Sequence, residues 1–262
     1  MKNRLIGVVV ATLASIFMLA GTARSDEINV LAVIAVKEAY LELVPQFEKS
    51  SAHKIVTTWS GTADMMKRMK AGEGGVDLLI MAAGSIEELA RLGKIEPGSP
   101  VDFAKSIVGV AVRAGAPKPD ISSADALKRA VLSAKSIGYS SGPSGVHVAG
   151  LFQRWGIAEQ LQPKIKQPPS GGFVGDLVAR GEIEIGFQQV AELVHISGID
   201  FLGPLPPDVQ LVTVLTGGVH SGAKHPGAAK AWVQFLASPA AAPIMAKNGL
   251  VPGGASTRVT LQ

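Results

Sequence analysis

Hydroxyl, amide and glycine residues recur at four places where an apolar run gives way to a helical pattern. The four segments are 35–38 (AVKE), 59–64 (WSGTAD), 139–147 (YSSGPSGVH) and 187–192 (FQQVAE). The free N–H groups and partial positive charge of a helix N-terminus bind anions without a formal cation, and hydroxyls and amides add donors. The segments therefore predict an anion-binding site, although helix capping and turn formation are an open alternative for any one of them.

The elements around these junctions alternate between strand and helix patterns. Continuous aliphatic runs suit strands buried on both faces, and apolar residues at helical spacing follow most of them. The predicted strands are 28–36, 54–58, 76–82, 107–112, 136–139, 183–187 and 209–215, and the predicted helices are 37–47, 62–71, 85–92, 122–132, 146–155, 173–179, 226–236 and 239–247. This rhythm predicts an α/β fold with mostly parallel sheets flanked by helices, so the junctions share one sheet edge.

Two predicted strands, 107–112 and 209–215, bracket a βα segment of roughly one hundred residues that can form a core of its own. If both strands cross between two lobes, the chain starts in the first lobe, builds the second and returns. We therefore predict a first lobe from residues 26–107 and 216–262, and a second lobe from residues 108–215. A ligand is expected in the cleft between them.

The N-terminus has the pattern of a secretory signal. Basic residues at Lys2 and Arg4 precede an apolar stretch over 5–20, and small residues follow it. Residues 1–25 are therefore predicted to be a signal peptide that is cleaved on export to the periplasm. An uncleaved membrane anchor is the alternative, but the stretch is shorter than the roughly 20 residues of a spanning helix.

Composition excludes several classes of protein. The chain has 25 Lys and Arg against 21 Asp and Glu, but Lys2, Arg4 and Arg24 lie in the signal segment, so 25 − 3 = 22 basic residues face 21 acidic ones. A nearly neutral mature chain with three Trp and two Tyr is not expected to bind nucleic acid. Without cysteine, disulfides, thiolate metal sites and cysteine nucleophiles are excluded.

Other motifs in the chain are weaker. Glu192 and His195 have the i, i+3 spacing of metal ligands, but no second pair completes a site, so a surface helix is predicted and no metal. The turn at 142–145 departs from the Gly-x-Ser-x-Gly pattern of hydrolases. No Ser-His-Asp triad can be assigned.

Four stretches of the mature chain resemble the periplasmic molybdate-binding-protein family, which has the two-lobed type 2 binding-protein fold. They are INVLAVIAV at 28–36, TWSGTADMMKRMKAGEGGVDLLIMA at 58–82, PSG at 143–145 and GEIEIGF at 181–187. The resemblance implies the α/β two-lobed fold and a small anion bound by hydroxyls and amides.

Residue by residue, the resemblance places a family serine at Ala35, a second at Thr62, the second-lobe turn at Ser144 and the family tyrosine at Gln189. One hydroxyl is thus lost and one aromatic hydroxyl becomes an amide, which favours a larger, flatter anion with several carboxylates. The predicted binding residues are Ala35, Lys37, Ser60, Gly61, Thr62, Ser140, Ser141, Ser144, Gly145, Gln188 and Gln189.

One branch of this fold consists of periplasmic enzymes, and the resemblance to it implies an isomerase that exchanges cis- and trans-aconitate by an allylic proton shift without a cofactor. Glu38 and His147 are the candidates for the proton carrier. Each has an alternative: Glu38 as a first-turn helix acid, and His147 as a helix-surface residue.

The alternative function is a solute-binding receptor that presents a small anion, a carboxylate or a molybdate-like oxyanion, to a membrane permease. Only this alternative requires a membrane partner. A monomer is expected in both cases.

Overall fold

The computed structural model describes residues 25–253, so the predicted signal peptide lies, apart from Ser25, outside the described residues. The strands are β1 Glu27–Val33, β2 Lys54–Ser60, β3 Leu78–Ala82, β4 Val101–Arg113, β5 Ile137–Tyr139, β6 Ile165–Lys166, β7 Ile185–Gln189, β8 Ile199–Pro204, β9 Val212–Val219 and β10 Val251–Pro252. The α-helices are α1 Lys37–Ser51, α2 Thr62–Lys70, α3 Ala83–Arg91, α4 Ala124–Ser133, α5 Pro143–Arg154, α6 Ala158–Leu161, α7 Val174–Ala179, α8 Val190–Leu193, α9 Pro226–Leu236 and α10 Ala242–Lys247. Within residues 25–253, no helix has the length and apolar character needed to cross a membrane.

The strands form a continuous mixed sheet in the order β2-β1-β3-β9-β4-β7-β5-β6, with β8 and β10 paired to β4. As predicted, β1 lies parallel to β2 and β3, and β5 lies parallel to β6 and β7. In contrast, β9 runs antiparallel to β3, and β4 runs antiparallel to β7. Each of these two strands leads from one half of the sheet to the other, and it runs antiparallel to the strand beside it in the half that it enters.

Strand β4 belongs to both halves of the sheet. Its residues 101–107 pair with β9, and its residues 108–111 pair with β7. At Val108, where the partner strand changes, the side chain of Gln210 makes hydrogen bonds that a neighbouring strand would otherwise make. Its Oε1 accepts from the Val108 N–H at 2.9 Å, and its Nε2 donates to the Val108 carbonyl at 3.0 Å.

Each half of the sheet has its own hydrophobic core. The first core contains Tyr40, Phe47 and Trp232, where Trp232 Nε1 donates to the Tyr40 hydroxyl at 3.2 Å. The second core contains Phe152 and Phe187. We call the half with β1–β3, β9, α1–α3, α9 and α10 the first lobe, and the half with β5–β8 and α4–α8 the second lobe. The residue limits predicted for the lobes stay a prediction.

A buried carboxylate ties the first lobe together. Asp77, only 2% exposed, accepts from the Asn29 N–H at 2.9 Å and from the N–H groups of Lys224 and His225 at 2.7 and 3.0 Å. The last two residues directly precede α9, so the carboxylate satisfies donors at the start of that helix.

Replacing this carboxylate is expected to destabilise the protein. Asp77→Ala leaves three backbone N–H groups without an acceptor, so the free energy of unfolding falls by about 3 kcal/mol. Urea denaturation measures the loss. Asp208→Ala, on an exposed turn, is the control and changes stability by less than about 0.5 kcal/mol; equal stability of the two variants contradicts the role of Asp77.

Candidate functional site

A cleft lies between the lobes at the carboxyl ends of β1, β2, β3, β5 and β7. Both lobes contribute to its lining, as is common for small-molecule sites between domains. Its lining consists of residues 33–35, 61, 62 and 82 from the first lobe, residues 140–144, 171, 172, 188, 189 and 192 from the second, and residues 213 and 215 from β9. The structure thus brings all four donor-rich junctions to one place.

Three helices of nine or more residues, α2, α3 and α5, begin at this cleft. Their N-cap residues, Gly61, Ala82 and Gly142, make no side-chain capping hydrogen bond. The first-turn N–H groups of these helices are therefore available to a ligand. Because the lining residues include no Lys, Arg or His, an anion in the cleft depends on these N–H groups, the helix dipoles and neighbouring hydroxyls.

The second-lobe wall of the cleft is a tight turn into α5. The hydroxyls of Ser140 and Ser144 lie 3.2 Å apart, and the Gly142 N–H donates to Ser140 Oγ at 3.3 Å. The turn is packed so closely that a Cβ on Gly145 would lie 2.6 Å from the carbonyl carbon of Ser140 and closer still to its oxygen. Gly145 therefore supports the wall from behind rather than facing the ligand.

Two consecutive amides at the end of β7 face the cleft while almost fully buried. Gln188 is 1% exposed and Gln189 is 4% exposed. Gln188 Oε1 accepts from the Val174 N–H at 2.7 Å, which leaves Nε2 without a hydrogen bond of good geometry among the described residues. Gln189 Nε2 donates to Thr213 Oγ1 at 3.0 Å, and its Oε1 is likewise unpaired there. Buried polar atoms normally have a partner, so these two amides make the end of β7 a polar wall beside the cleft.

An acidic side chain, Glu192 of α8, also lines the cleft. Burial raises the pKa of its carboxyl to about 7, although hydrogen bonding from the Gln188 side chain and the Gln189 backbone lowers it in part. The spacing of Glu192 and His195 predicted a surface helix. Helix α8 ends at Leu193, so His195 lies exposed in the turn beyond it. Glu192 lies within α8 and lines the cleft, so the prediction is wrong for Glu192.

The lobes touch each other at the mouth of the cleft. A Cβ on Gly61 would lie 2.6 Å from the Gly171 nitrogen and 3.0 Å from the Ser170 carbonyl carbon. Gly171 has φ of +80°, in the left-handed region that favours glycine. The structure therefore shows a closed arrangement in which two glycine backbones from different lobes lie against each other.

Eight of the predicted residues line the cleft: Ala35, Gly61, Thr62, Ser140, Ser141, Ser144, Gln188 and Gln189. Lys37, Glu38, Ser60, Gly145 and His147 lie outside its lining.

The reasons differ between these residues. The Ser60 hydroxyl donates to Asp64 Oδ2 at 2.6 Å, and His147 Nε2 lies 2.7 Å from the Val209 carbonyl. Lys37 and Glu38 follow the 3-10 turn at 34–36, which carries them past the cleft edge. Glu192, Thr213 and the turn at 171–172 line the cleft but were not predicted; only Glu192 had a sequence signal, its place in the fourth junction.

Thr62 supplies a hydroxyl at the first residue of α2, so its removal is expected to weaken binding. Thr62→Val keeps the shape but leaves a ligand oxygen without its donor, which reduces affinity by roughly 1–3 kcal/mol. Isothermal titration with citrate and with molybdate, one anion of each predicted class, measures the change. Thr58→Val, at an exposed position on β2, is the matched control, and equal affinities of the two variants would remove Thr62 from the site.

Comparison with known proteins gives concordant matches. A family model described as bacterial extracellular solute-binding protein matches residues 28–251. An aconitate isomerase from Pseudomonas sp. is 36% identical over 216 residues, which cover 80% of this chain and 82% of that protein. Molybdate-binding protein ModA of Azotobacter vinelandii is 26% identical over 242 residues, covering 88% of this chain and 92% of its own. The solved periplasmic molybdate-binding protein of Azotobacter vinelandii superposes with a TM-score of 0.72 at 19% identity, over 86% of this chain and 98% of that one.

Proposed function

The chain belongs to the bacterial extracellular solute-binding protein family, and from that premise we propose that it is an isomerase that interconverts cis- and trans-aconitate in the cleft between its lobes. A relative named for the isomerisation of aconitate, 36% identical over most of both chains, supports the choice of substrate. Members of one fold carry out different functions, so the choice between isomerase and receptor depends on the composition of the cleft.

The observation that carries this proposal is a carboxyl group inside a cleft that is otherwise built to hold an anion. A receptor gains no affinity from a carboxyl that faces its anionic ligand, because the two like charges repel each other and disfavour ionisation. Proton transfer, in contrast, requires a titratable group beside the substrate. Glu192 supplies such a group among the described lining residues.

The donors of the cleft suit a ligand with several carboxylates. The starts of α2 and α3 lie on the first-lobe side and the start of α5 on the second-lobe side, so carboxylates at separate ends of one molecule can each bind N–H groups. Ala35 and Gln189 stand where the resemblance expects a serine and a tyrosine, which removes hydroxyls that a compact tetrahedral oxyanion uses.

The reaction requires only a proton carrier and charge stabilisation. A base removes a proton from the methylene carbon, and the C–H electrons spread over the allylic carbons and the adjacent carboxylate. A proton then returns to the far carbon of the allyl unit, so the double bond shifts and its geometry can change. N–H donors already aligned on the carboxylates stabilise the developing negative charge.

The second candidate is a receptor that delivers a small anion to a membrane permease. It is favoured by the match to molybdate-binding proteins over 88% of the chain and requires the same donors without proton transfer. It gives no role to Glu192.

We further propose a monomeric periplasmic protein whose residues 1–25 are a cleaved signal peptide. In this proposal the first lobe comprises residues 26–107 and 216–262, and the second comprises residues 108–215. We propose that the reaction uses no cofactor; removal and return of a proton leave the oxidation state unchanged, so no redox cofactor is required.

The test is a proton NMR assay of the purified mature protein with cis-aconitate, without added metal or cofactor. Formation of trans-aconitate faster than in buffer supports the isomerase. A thermal-shift panel with molybdate, sulfate, citrate and both aconitates accompanies it. Tight binding of any of these anions without turnover of cis-aconitate contradicts the isomerase and supports the receptor.

A further inference from the structure

We propose that Glu192 is the proton carrier of this cleft: its carboxylate removes the methylene proton of the bound tricarboxylate, and the same carboxyl returns the proton to the far allylic carbon. This inference rests on the proposed isomerase function and assigns its central step to one residue. It replaces the two candidates that the sequence suggested.

The geometry singles out Glu192. Among the described residues that line the cleft, it alone has a carboxyl, amine or imidazole group; the others carry hydroxyls, amides or no polar side chain. Glu38 lies outside the lining, and His147 contacts the Val209 carbonyl instead. A proton carrier must reach the substrate, and Glu192 meets that requirement.

The neighbours of Glu192 hold it in place. A Cβ on Gly249 of the first lobe would lie 3.2 Å from the Ala191 Cα, so the helix that carries Glu192 packs tightly against that lobe. Helix α8 follows directly after Gln188 and Gln189. The Gln188 side chain accepts from the Val174 N–H, and the Gln189 side chain donates to the Thr213 hydroxyl. Both lobes therefore fix the position of the carboxyl when the cleft is closed.

The protonation behaviour of Glu192 suits a group that both takes and gives a proton. Burial places its pKa near 7, and hydrogen bonds from Gln188 and Gln189 work against that rise. The causes of the shift are burial and these two bonds, with no contribution from a neighbouring charge. Strands β4 and β7, the turn at 34–36 and Gly249 pack against α8, and none of them brings an ionisable side chain into the cleft lining.

In the proposed reaction, one residue both removes the proton and returns it, so protons and electrons balance. Ionised Glu192 gains the methylene proton, and the C–H electron pair becomes delocalised over the allyl unit and its carboxylate. Protonated Glu192 then forms the new C–H bond at the other end, which regenerates its ionised form. One carboxyl is sufficient if both ends of the allyl unit face it, and no oxidant or reductant takes part.

The experiment compares wild-type protein with Glu192→Gln, which has the size of the neutral acid. For the variant we expect kcat to fall about a thousandfold, while the Kd for trans-aconitate at pH 7 changes by less than about threefold. In D2O, the trans-aconitate that wild-type protein forms from cis-aconitate in its first turnovers is expected to keep mainly protium at its new methylene carbon, because the same carboxyl returns the proton that it removed. The matched control is Glu87→Gln, an exposed glutamate of α3, which retains full activity.

A second measurement covers the case in which the variant does not fold, as judged by circular dichroism. The kcat/KM of wild-type protein is expected to rise with pH through an inflection near 7, because the ionised carboxyl is the base in the free enzyme. Absence of this inflection overturns the assignment.

Three other outcomes also overturn it: full activity of Glu192→Gln, equal losses in affinity and turnover for that variant, or loss of turnover in Glu38→Gln or His147→Asn with Glu192→Gln active. A wild-type protein that binds aconitate without converting it overturns the isomerase itself, so the two failures are distinguishable.

Discussion

Gly145→Ala is expected to abolish ligand binding and to lower the free energy of unfolding by about 3 kcal/mol. The added Cβ would lie 2.6 Å from the carbonyl carbon of Ser140 and even closer to its oxygen. Both atoms are backbone, so no rotation of a side chain relieves the overlap. Residues 140–142 and the first turn of α5 must move apart, which separates the Ser140 hydroxyl from the Ser144 hydroxyl and from the first-turn N–H groups.

A matched control lies on the same helix. At Gly150 the nearest neighbour of an added Cβ is the flexible end of Arg154, at 3.3 Å. Gly150→Ala is therefore expected to keep binding and to gain up to about 1 kcal/mol from the higher helix propensity of alanine. Titration calorimetry and urea denaturation of both variants check the pair. If Gly145→Ala binds as tightly as Gly150→Ala, the 140–144 turn does not form the ligand wall.

Gly61→Ala is expected to weaken ligand binding by about ten- to a hundredfold without lowering stability. The overlap that it introduces is with the Ser170–Gly171 backbone of the other lobe, and overpacking of this kind costs roughly 1–3 kcal/mol. Separation of the lobes relieves the overlap, so the free protein keeps its melting temperature. The loss of affinity appears only when ligand binding requires the two lobes to close.

The control for this variant is Gly84→Ala, since Gly84 lies in the first turn of α3 with no atom within 4 Å of an added Cβ. Calorimetry measures the affinity, and small-angle X-ray scattering measures compaction on ligand addition. Wild-type protein and Gly84→Ala become more compact, whereas Gly61→Ala does not. Equal compaction of all three proteins would show that the contact at Gly61 does not limit closure.

Much of the secondary structure could be predicted because its signals are local. Helix α9 occupies 226–236 as predicted, since Pro226 favours the first helical position and apolar residues follow at helical spacing. The start of α4 is capped by Ser123, whose side chain accepts from the Ala126 N–H at 3.2 Å.

Two errors concern the residue at which an element ends or begins. The aliphatic run 34–36 predicted a longer first strand, but β1 ends at Val33 and a 3-10 turn follows, because aliphatic composition does not distinguish a buried strand from a buried turn. Pro143 was placed in a loop, yet it is the first residue of α5.

The site residues could be predicted where they lie at or just after the carboxyl end of a strand. Thr62, Ser144, Gln188 and Gln189 line the cleft because each lies at the carboxyl end of a strand, where a parallel sheet gathers such residues. Glu192 was missed because its importance depends on burial, which the spacing of residues in one short helix does not reveal. Glu38 and His147 have suitable chemical groups, but the local backbone directs them elsewhere.

The change of partner along β4 has a consequence for how the molecule opens. At Val108 the peptide is bound on one side by the carboxamide of Gln210, and the Leu205 N–H donates to its carbonyl at 3.0 Å. Because the side chain of Gln210 has rotatable bonds, its carboxamide can keep its hydrogen bonds when the Val108 peptide rotates, which a neighbouring strand does less easily. Rotation of the lobes about this point therefore disturbs a side-chain contact on that edge of β4, and it must also break the glycine contact across the mouth and the contact of Gly249 with α8.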